Sequence, residues 1–279
     1  MNSGDVVGLY IHIPFCQRKC HYCSFNSFSG MEWLIPEYID ALLEEIGLRG
    51  NGCSRVSTIY LGGGTPTILD GEEIARIIEV CRSSFDVAAD AEITTEGNPG
   101  TITEPLLYKL LDIGVNRLSL GVQSFDDGQL MMLGRIYNSA EALEAYSLAR
   151  VVGFDNINLD LLYGLPGQSL NSWRETLREA IGLAPEHLSL YCLTLEGEVP
   201  LAKLIDSGLL PSPDPDLAAS MYSLAEEMLD GIYEHYEISN WARSGRECRH
   251  NLAYWRNLPY LGFGAGAHSS FNHYRFCNV

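Results

Sequence analysis

Residues 12–23 of the chain read His12-Ile-Pro-Phe-Cys16-Gln-Arg-Lys-Cys20-His-Tyr-Cys23, which places three cysteines within eight residues. Their spacing is C-x3-C-x2-C, and they follow a short apolar run at residues 8–13 that reads as a β-strand. Thiolates are the usual ligands of iron–sulfur clusters, and close spacing on one loop lets them surround a compact cluster. Three thiolates leave one iron of a four-iron cubane without a protein ligand, and an open metal position usually binds a substrate or cofactor. The stretch therefore indicates a [4Fe-4S] site with one open iron.

Two other interpretations of these cysteines stay open on the residues alone. A closed zinc site needs four ligands, and His12 or His21 could complete one, although no second C-x-x-C pair follows downstream. Buried structural thiols are the other alternative, but such thiols rarely share one loop with charged residues such as Arg18 and Lys19. We take the iron–sulfur interpretation as the working hypothesis.

Composition sets the broad class of the protein. With 279 residues, 46% hydrophobic content and a mean hydropathy near zero, the chain can bury a large core. No apolar run approaches the ~20 residues of a membrane span and no signal sequence is visible, so we expect a cytoplasmic protein with at most peripheral membrane contact. Eight cysteines without a paired framework suit a reducing compartment. A net charge of −18 disfavours binding to nucleic acid.

Apolar periodicity predicts alternating strands and helices through most of the chain. The predicted strands lie at 8–13, 56–61, 91–95, 115–120, 157–162 and 187–193. Helical spacing fills the segments between them, for example Ile39, Leu42, Leu43 and Ile46 within residues 36–49. Such alternation predicts a parallel sheet with right-handed helical crossovers.

Unusual polar and glycine residues follow the ends of the predicted strands. They are the cysteine loop, Gly62-Gly63-Gly64-Thr65-Pro66, Glu96, Gln123, Asp160 and Thr194. In a parallel barrel the carboxyl ends of all strands lie on one face, where such folds place their sites. The pattern therefore predicts one shared site, although any one of these polar residues could equally be a solvated or hydrogen-bonded structural residue.

The string Tyr10-Ile-His-Ile-Pro-Phe-Cys16, continued by Cys20-His-Tyr-Cys23-Ser-Phe25, resembles the radical S-adenosylmethionine (SAM) superfamily. Within it, the string resembles the oxygen-independent coproporphyrinogen III oxidases (HemN) and the related heme chaperones (HemW). The resemblance implies an α/β fold, a partial (β/α)6 TIM-like barrel over residues 1–210 with a short α+β extension over 211–279 that packs on the barrel. It also implies that a further C-terminal family domain of about 100 residues is missing from the chain.

The resemblance assigns roles to individual residues. Cys16, Cys20 and Cys23 would hold the cluster, and its open iron would bind SAM. Positions that contact one or two SAM molecules in the oxidase match Tyr10, Tyr22, Gly63, Gly64, Thr65, Glu96, Gln123, Arg135, Asp160, Thr194 and His268. Carboxylates suit ribose hydroxyls, and an arginine fork suits the SAM carboxylate.

A C-terminal aromatic segment carries the candidate heme ligand. The stretch His250-Asn-Leu-Ala-Tyr-Trp255 resembles the His-Asn-x-x-Tyr-Trp element of the heme chaperones. Imidazole is a common axial ligand of heme iron, so His250 becomes the candidate ligand. By pattern alone, His250 could equally be a core histidine beside packed aromatic residues.

These features favour a heme chaperone that binds a [4Fe-4S] cluster, SAM and heme. Phe25 stands where the oxidases have a further cysteine, which favours the chaperone branch. Two other residues depart from the family pattern: Ser24 replaces a common aspartate, and Tyr137 stands where a histidine often occurs. The alternatives are the oxidase itself, or a methyltransferase or heme-degrading enzyme of the same branch. The implied partners are heme or a porphyrin, a heme-acceptor protein, and an electron donor such as flavodoxin or ferredoxin.

Overall fold

The computed structural model of the protein describes residues 6–50, 55–196 and 199–279. Eleven strands of these residues form one sheet: β1 (Val6–Ile13), β2 (Arg55–Gly63), β3 (Asp86–Gly97), β4 (Arg117–Gln123), β5 (Ile157–Tyr163), β6 (His187–Cys192), β7 (Glu234–Glu237), β8 (Asn240–Ala242), β9 (Tyr260–Phe263), β10 (His268–Phe271) and β11 (Tyr274–Cys277). Their α-helices are α1 (Ile35–Arg49), α2 (Gly71–Ser84), α3 (Glu104–Asp112), α4 (Asp127–Leu133), α5 (Ser139–Val152), α6 (Leu170–Leu183), α7 (Pro200–Asp206), α8 (Pro215–Leu229) and α9 (Arg249–Trp255). Short 3-10 helices lie at Glu32–Leu34, Pro66–Ile68 and Pro99–Thr101.

The first six strands lie side by side in chain order, and each is parallel to the next. Helices connect them, as the alternating pattern predicts for parallel strands. The sheet is open, with β11 at one side and β7 at the other. The predicted α/β fold of the partial (β/α)6 barrel type is therefore confirmed.

The parallel strands separate an apolar face from a polar one. Along β4, Leu118 and Leu120 belong to the hydrophobic core, whereas Arg117 and Ser119 line a cavity on the other face. This alternation follows from the two-residue period of a strand. The strands therefore place their polar side chains together on the face away from the core.

Capping residues fix where the helices begin. Asp70 accepts a hydrogen bond from the backbone N–H of Glu73, and the Glu73 carboxylate accepts one from the N–H of Asp70. This capping box stabilises the start of α2. Asn138 and Glu141 form a second capping box at α5. Within the three described ranges, no helix is long and apolar enough to cross a lipid bilayer.

Residues after 210 extend the sheet on both sides. After an irregular stretch at 211–214, α8 begins at Pro215. Strand β8 pairs antiparallel with β6 and carries β7 beside it. Strand β9 pairs parallel with β1 and leads into β10 and β11. Because both parts of the chain share one sheet, the predicted division at residue 210 stays a prediction.

Candidate cofactor-binding site

A cavity of about 1110 Å³ lies against the polar face of the six parallel strands. All fifteen residues that the sequence assigns to the cluster, SAM or heme line this one cavity. The volume exceeds the ~300–1,000 Å³ of typical small-molecule pockets. The cavity therefore has room for a cofactor and a larger ligand together.

The cysteine loop is held to the sheet by backbone hydrogen bonds. The N–H of Cys16 donates to the carbonyl of Phe28 (2.9 Å), and the N–H of Phe28 donates to the carbonyl of Pro14 (2.7 Å). His21 lies against the end of α4: its N–H donates to Leu133 O at 2.9 Å, and its Nδ1 lies 2.9 Å from Met132 O. These bonds fix both halves of the loop at the wall of the cavity.

Each of the three thiols has a hydrogen-bonding group of its own. Thr65 Oγ1 donates to Cys16 Sγ at 3.5 Å, and Arg135 Nη1 donates to Cys20 Sγ at 3.0 Å. Cys23 Sγ lies 3.9 Å from Ser27 Oγ. Burial raises the pKa of Cys16, and the bond from Thr65 partly opposes this shift. The sulfur of Cys20 thus lies directly beside a guanidinium group.

The donor set fits a cluster better than a single ion. In the described part of the chain, no three His, Cys, Asp or Glu side chains converge as ligands of one metal ion. A cubane, in contrast, takes each of three thiolates on a different iron, so its ligands stand further apart. The seven cysteines that the structure describes are all free thiols, so none of the three is consumed by a disulfide.

The glycine segment after β2 packs directly on the cysteine loop. The N–H of Gly64 donates to Ile13 O and the N–H of Thr65 to Phe15 O, both at 2.8 Å. A Cβ at Gly64 would lie 2.6 Å from Phe15 O, which no other residue could accommodate without displacing the loop. The resemblance predicts that Gly64 contacts SAM. The structure shows that glycine is also needed at this position because the backbone packs directly against the cysteine loop.

Two partly buried carboxyl groups, Glu96 and Asp160, face the cavity from β3 and β5. Glu96 accepts hydrogen bonds from Tyr60 Oη (2.8 Å) and from the N–H of Gly63 (3.1 Å). Burial raises the pKa of Glu96 to about 7 despite these donors. Asp160 accepts from Asn158 Nδ2 at 2.8 Å and from Ser119 Oγ at 3.2 Å, and burial also raises its pKa. The strand ends thus place two carboxyl groups with perturbed pKa values in one cavity, which is typical of functional sites.

Strand β4 ends in a strained residue. Gln123 has φ 68°, and the pairing of β4 with β5 shifts register between Leu120 and Gln123. A non-glycine residue in this region costs about 1–3 kcal/mol, and such residues concentrate at ligand sites. The Gln123 side chain lines the cavity and makes no hydrogen bond to another described residue, so its amide remains available to a ligand.

Arg135, in contrast to Gln123, makes several hydrogen bonds to other protein groups. Besides its bond to Cys20, it donates from Nε to Tyr137 Oη (2.9 Å) and from Nη2 to Gly121 O (2.7 Å). Three of its five N–H groups are therefore used by the protein. Two remain for a ligand.

The two predicted site histidines have different surroundings. His250 is buried, with Nδ1 2.8 Å from Thr58 Oγ1 and Nε2 2.8 Å from Tyr254 Oη. Burial and the charge of Arg117 lower the pKa of His250 to about 3, so its imidazole is neutral. His268 is exposed at the start of β10, and its ring makes no hydrogen bond within the described residues.

The remaining predicted residues complete the lining. Tyr10 Oη lies 3.0 Å from His12 Nδ1, and Tyr22 lies beside the thiols with its pKa raised by burial. Thr194 is exposed, and its Oγ1 donates to Cys192 O at 3.4 Å. The structure thus gathers the predicted residues in one place; the role of each stays a prediction.

Polar residues at the amino ends of the strands were missed by the sequence analysis. His187, the first residue of β6, has Nδ1 2.6 Å from Asn158 Oδ1 and Nε2 2.8 Å from Tyr236 Oη. Arg117, the first residue of β4, also lines the cavity. A signal was present: polar residues alternate with leucine along β4 and β5, and this alternation marks the inward face of each strand.

We expect Glu96 to shape the pH dependence of folding stability. Its pKa in the folded protein, about 7, lies above the ordinary 4.5, so the folded state keeps a proton that the unfolded chain releases. Its contribution to stability is fully present below pH 4.5 and is lost as the pH rises to about 7. Glu96→Gln removes this titration. From pH 4.5 to 8, the free energy of unfolding of the variant should rise by about 3 kcal/mol relative to wild type.

Urea unfolding at both pH values measures this difference. The matched control is Glu79→Gln, which changes an exposed carboxyl group on α2. It should follow the wild-type pH dependence. Equal pH dependence of the two variants would contradict the buried, proton-holding state of Glu96.

Comparison with known proteins identifies the family of this chain. The family model of the radical SAM superfamily matches residues 10–180. The heme chaperone HemW of Bacillus subtilis is 39% identical over 275 residues, which are 97% of this chain and 72% of that protein. The HemW of Escherichia coli is 41% identical over 94% of this chain and 69% of its own length. The mouse protein named radical S-adenosyl methionine domain-containing protein 1, mitochondrial, is 39% identical, and the match spans 60% of its length.

Solved structures agree with this placement. Coproporphyrinogen III oxidase (HemN) of Escherichia coli superposes with a TM-score of 0.82 at 30% identity, over 95% of this chain and 64% of that one. An archaeal Elp3 from Methanocaldococcus infernus, at 16% identity and a TM-score of 0.58, shares the fold. Membership in the superfamily implies a [4Fe-4S] cluster and SAM as cofactors. The chain belongs to the radical SAM superfamily and, within it, to the family of the HemW proteins.

Proposed function

We propose that the protein is a heme chaperone that binds a [4Fe-4S] cluster, SAM and heme, and passes heme to acceptor proteins. The observation that carries the proposal is that three thiols, two partly buried carboxyl groups and His250 line one cavity of about 1110 Å³. Such a cavity can hold a nucleotide cofactor and a large planar ligand at once. The Bacillus subtilis and Escherichia coli relatives, which share the name heme chaperone, support the same reading.

In this proposal Cys16, Cys20 and Cys23 hold the cluster. Thr65 and Arg135 already donate hydrogen bonds to two of the three sulfur atoms. Such bonds to ligand sulfurs, together with solvent exposure, tune the reduction potential of a bound cluster. When reduced, a cluster of this type supplies the electron for reductive cleavage of SAM. Cys16 is the most protected ligand, since its side chain is buried.

The glycine segment suits the amino group of SAM. The N–H groups of Gly63, Gly64 and Thr65 all donate to protein acceptors, namely Glu96, Ile13 and Phe15. The segment can therefore offer a ligand mainly carbonyl oxygens, which accept hydrogen bonds. An ammonium group is a donor with no acceptor, so it matches this surface. The two unused N–H groups of Arg135 would then bind the carboxylate.

The remaining predicted residues would hold the nucleoside. Glu96 and Asp160 are the acceptors that we assign to the ribose hydroxyls, and the uncommitted amide of Gln123 is a further polar contact. Tyr10, Tyr22, Thr194 and His268 complete the proposed SAM surface, and all four line the same cavity. Their aromatic and hydroxyl groups offer stacking surfaces and hydrogen bonds to an adenosine.

His250 is the axial heme ligand that we propose. Burial keeps its imidazole neutral, and the neutral form is the one that binds metals. Its Nε2 lies 2.8 Å from Tyr254 Oη, and its Nδ1 is bound to Thr58. Tyr254 is 37% exposed, whereas Thr58 is buried, so the tyrosine is the partner that can leave. Heme binding through Nε2 therefore requires Tyr254 to move aside.

The cluster assignment predicts a selective loss of iron. After anaerobic reconstitution, wild type should carry about four iron and four sulfide ions per chain. Cys20→Ala should lose most of them together with the brown absorption, because the remaining thiolates hold the cluster on two irons only. Cys192→Ala is the matched control, since Cys192 lines the same cavity outside the C-x3-C-x2-C loop. Full iron loading of Cys20→Ala, or zinc in place of iron in wild type, would contradict the assignment.

Hemin titration tests the heme ligand. His250→Ala should weaken hemin binding about tenfold or more and lose the Soret shift of the wild type. Tyr254→Phe should bind hemin at least as tightly as wild type, because it frees Nε2 from its hydrogen bond. His273→Asn changes an exposed histidine outside the cavity and serves as the control. Unchanged hemin binding by His250→Ala would overturn the assignment of this ligand.

A second candidate function is supported by the likeness to coproporphyrinogen III oxidase. The protein would then oxidatively decarboxylate two propionate side chains of coproporphyrinogen III. Product analysis under anaerobic conditions, with a chemical reductant and SAM, separates the two functions. We expect no protoporphyrinogen above that of the Cys20→Ala variant. Its formation at many turnovers per chain would replace the chaperone proposal with the oxidase.

A further inference from the structure

The base of the cavity contains a buried arginine without a hydrogen-bonding partner. Arg117 is only 2% exposed, yet it lines the cavity at the start of β4. Its guanidinium makes no hydrogen bond or ion pair with any described residue, and its buried Nε has no acceptor. The carboxylate of Glu92 is close enough to interact electrostatically with this guanidinium, but no described residue accepts a hydrogen bond from it. A buried charged group that makes no hydrogen bond is unusual, because the unmade bond is unfavourable.

A second unpartnered group lies beside it. Thr94 on β3 is paired with Arg117 on β4, so both side chains stand on the same face of the sheet. The Thr94 hydroxyl is also buried and has no hydrogen-bonding partner. In the described chain three buried side-chain polar atoms lack a partner, and two of them belong to this pair. Thr94 is fully buried and does not line the cavity, so of the two residues only Arg117 can meet a ligand there.

The nearby carboxyl groups are committed elsewhere. Glu92 accepts from the backbone N–H groups of Arg249 and His250 at the start of α9 (both 3.0 Å). Glu96 is bound by Tyr60 and Gly63, as described above, and Asp160 by Asn158 and Ser119. The nearby imidazoles do not compete as cations, because burial and the charge of Arg117 lower the pKa of His187 and His250. Arg117 thus keeps its donors for something that enters the cavity.

We propose that Arg117 forms a subsite for a carboxylate, and that this carboxylate is a propionate of the bound tetrapyrrole. A guanidinium fork matches a carboxylate in a bidentate geometry. The inference rests on the proposed function, since the tetrapyrrole is its ligand. It adds a polar anchor at the opposite end of the strands from the cysteine loop. One propionate would fix how deeply the macrocycle enters.

The experiment compares hemin with hemin dimethyl ester, in which both propionates are neutral. Both probes are titrated under identical detergent conditions into the reconstituted wild type, Arg117→Gln and Arg117→Lys. Wild type should prefer hemin over the ester at least tenfold. Arg117→Gln should weaken hemin binding ~10–100-fold and leave ester binding unchanged, as expected for a lost hydrogen bond to a charged group. Arg117→Lys should recover part of the hemin affinity.

Two further variants separate a ligand contact from a structural effect. Thr94→Val keeps the shape of the side chain and removes a buried hydroxyl beside Arg117 that does not line the cavity, and it should leave hemin binding unchanged. Arg18→Gln makes the same charge change at an exposed arginine that lines the same cavity, and it should preserve the preference for hemin. Titration of SAM into Arg117→Gln should match wild type. A selective loss of SAM affinity would instead assign the carboxylate to SAM and overturn the propionate assignment.

The outcomes distinguish this inference from the proposed function. If wild type binds hemin and its ester equally, or if Arg117→Gln weakens both equally, the subsite is wrong and the chaperone proposal stands. Equal binding is also the outcome expected if ordered water satisfies the arginine and the threonine. If wild type binds neither probe while its cluster is intact, the heme proposal itself fails and takes the subsite with it.

Discussion

The site depends on the contact between the loops that follow the first two strands. Two backbone hydrogen bonds, from Gly64 to Ile13 and from Thr65 to Phe15, hold these loops against each other. Only glycine fits at position 64, because a side chain there would meet the carbonyls of the cysteine loop. The same contact brings the Thr65 hydroxyl to Cys16 and turns the N–H of Gly63 toward Glu96. This one backbone contact between the two loops therefore positions both the cysteine thiols and the carboxyl group of Glu96. Because it is made by main-chain atoms, side-chain substitutions elsewhere would disturb it little.

The polar inner face of the strands is the second constraint. Burying so many polar groups is unfavourable unless each has a partner, and most of them do. The side chain of Asn158 links His187, Ser189, Ser119 and Asp160 within one network. Such a network holds each group in a fixed orientation before any ligand arrives, which reduces the entropy lost on binding. Against this background Arg117 stands out, because it lines the base of the cavity and its buried Nε makes no hydrogen bond to a described residue.

The sequence predicted those features that depend on local pattern or on strand ends. The six parallel strands follow from spacing within short windows, and they were confirmed. The seven-residue helices α4 and α7 were missed, because two turns are too short to show a clear apolar period. The pairing of β9 with β1 joins distant segments, which no local pattern encodes. Arg117 and His187 were missed for a related reason: they begin their strands, whereas the search for site residues looked at the carboxyl ends.

The surroundings of His250 agree with its alternative description as a core histidine. Its ring stacks on Tyr60 at 5.2 Å and meets Tyr254 edge-on at 4.9 Å, and burial together with the charge of Arg117 lowers its pKa to about 3. The proposed role as a heme ligand would exchange the bond to Tyr254 for a bond to iron, at a cost of about 1 kcal/mol for the lost hydrogen bond. An axial bond to iron would offset that cost, whereas protonation would not, because the nearby guanidinium and the burial both disfavour a positively charged imidazole. The proposal therefore gives Tyr254 the role of covering a neutral imidazole that only a displacing ligand reaches.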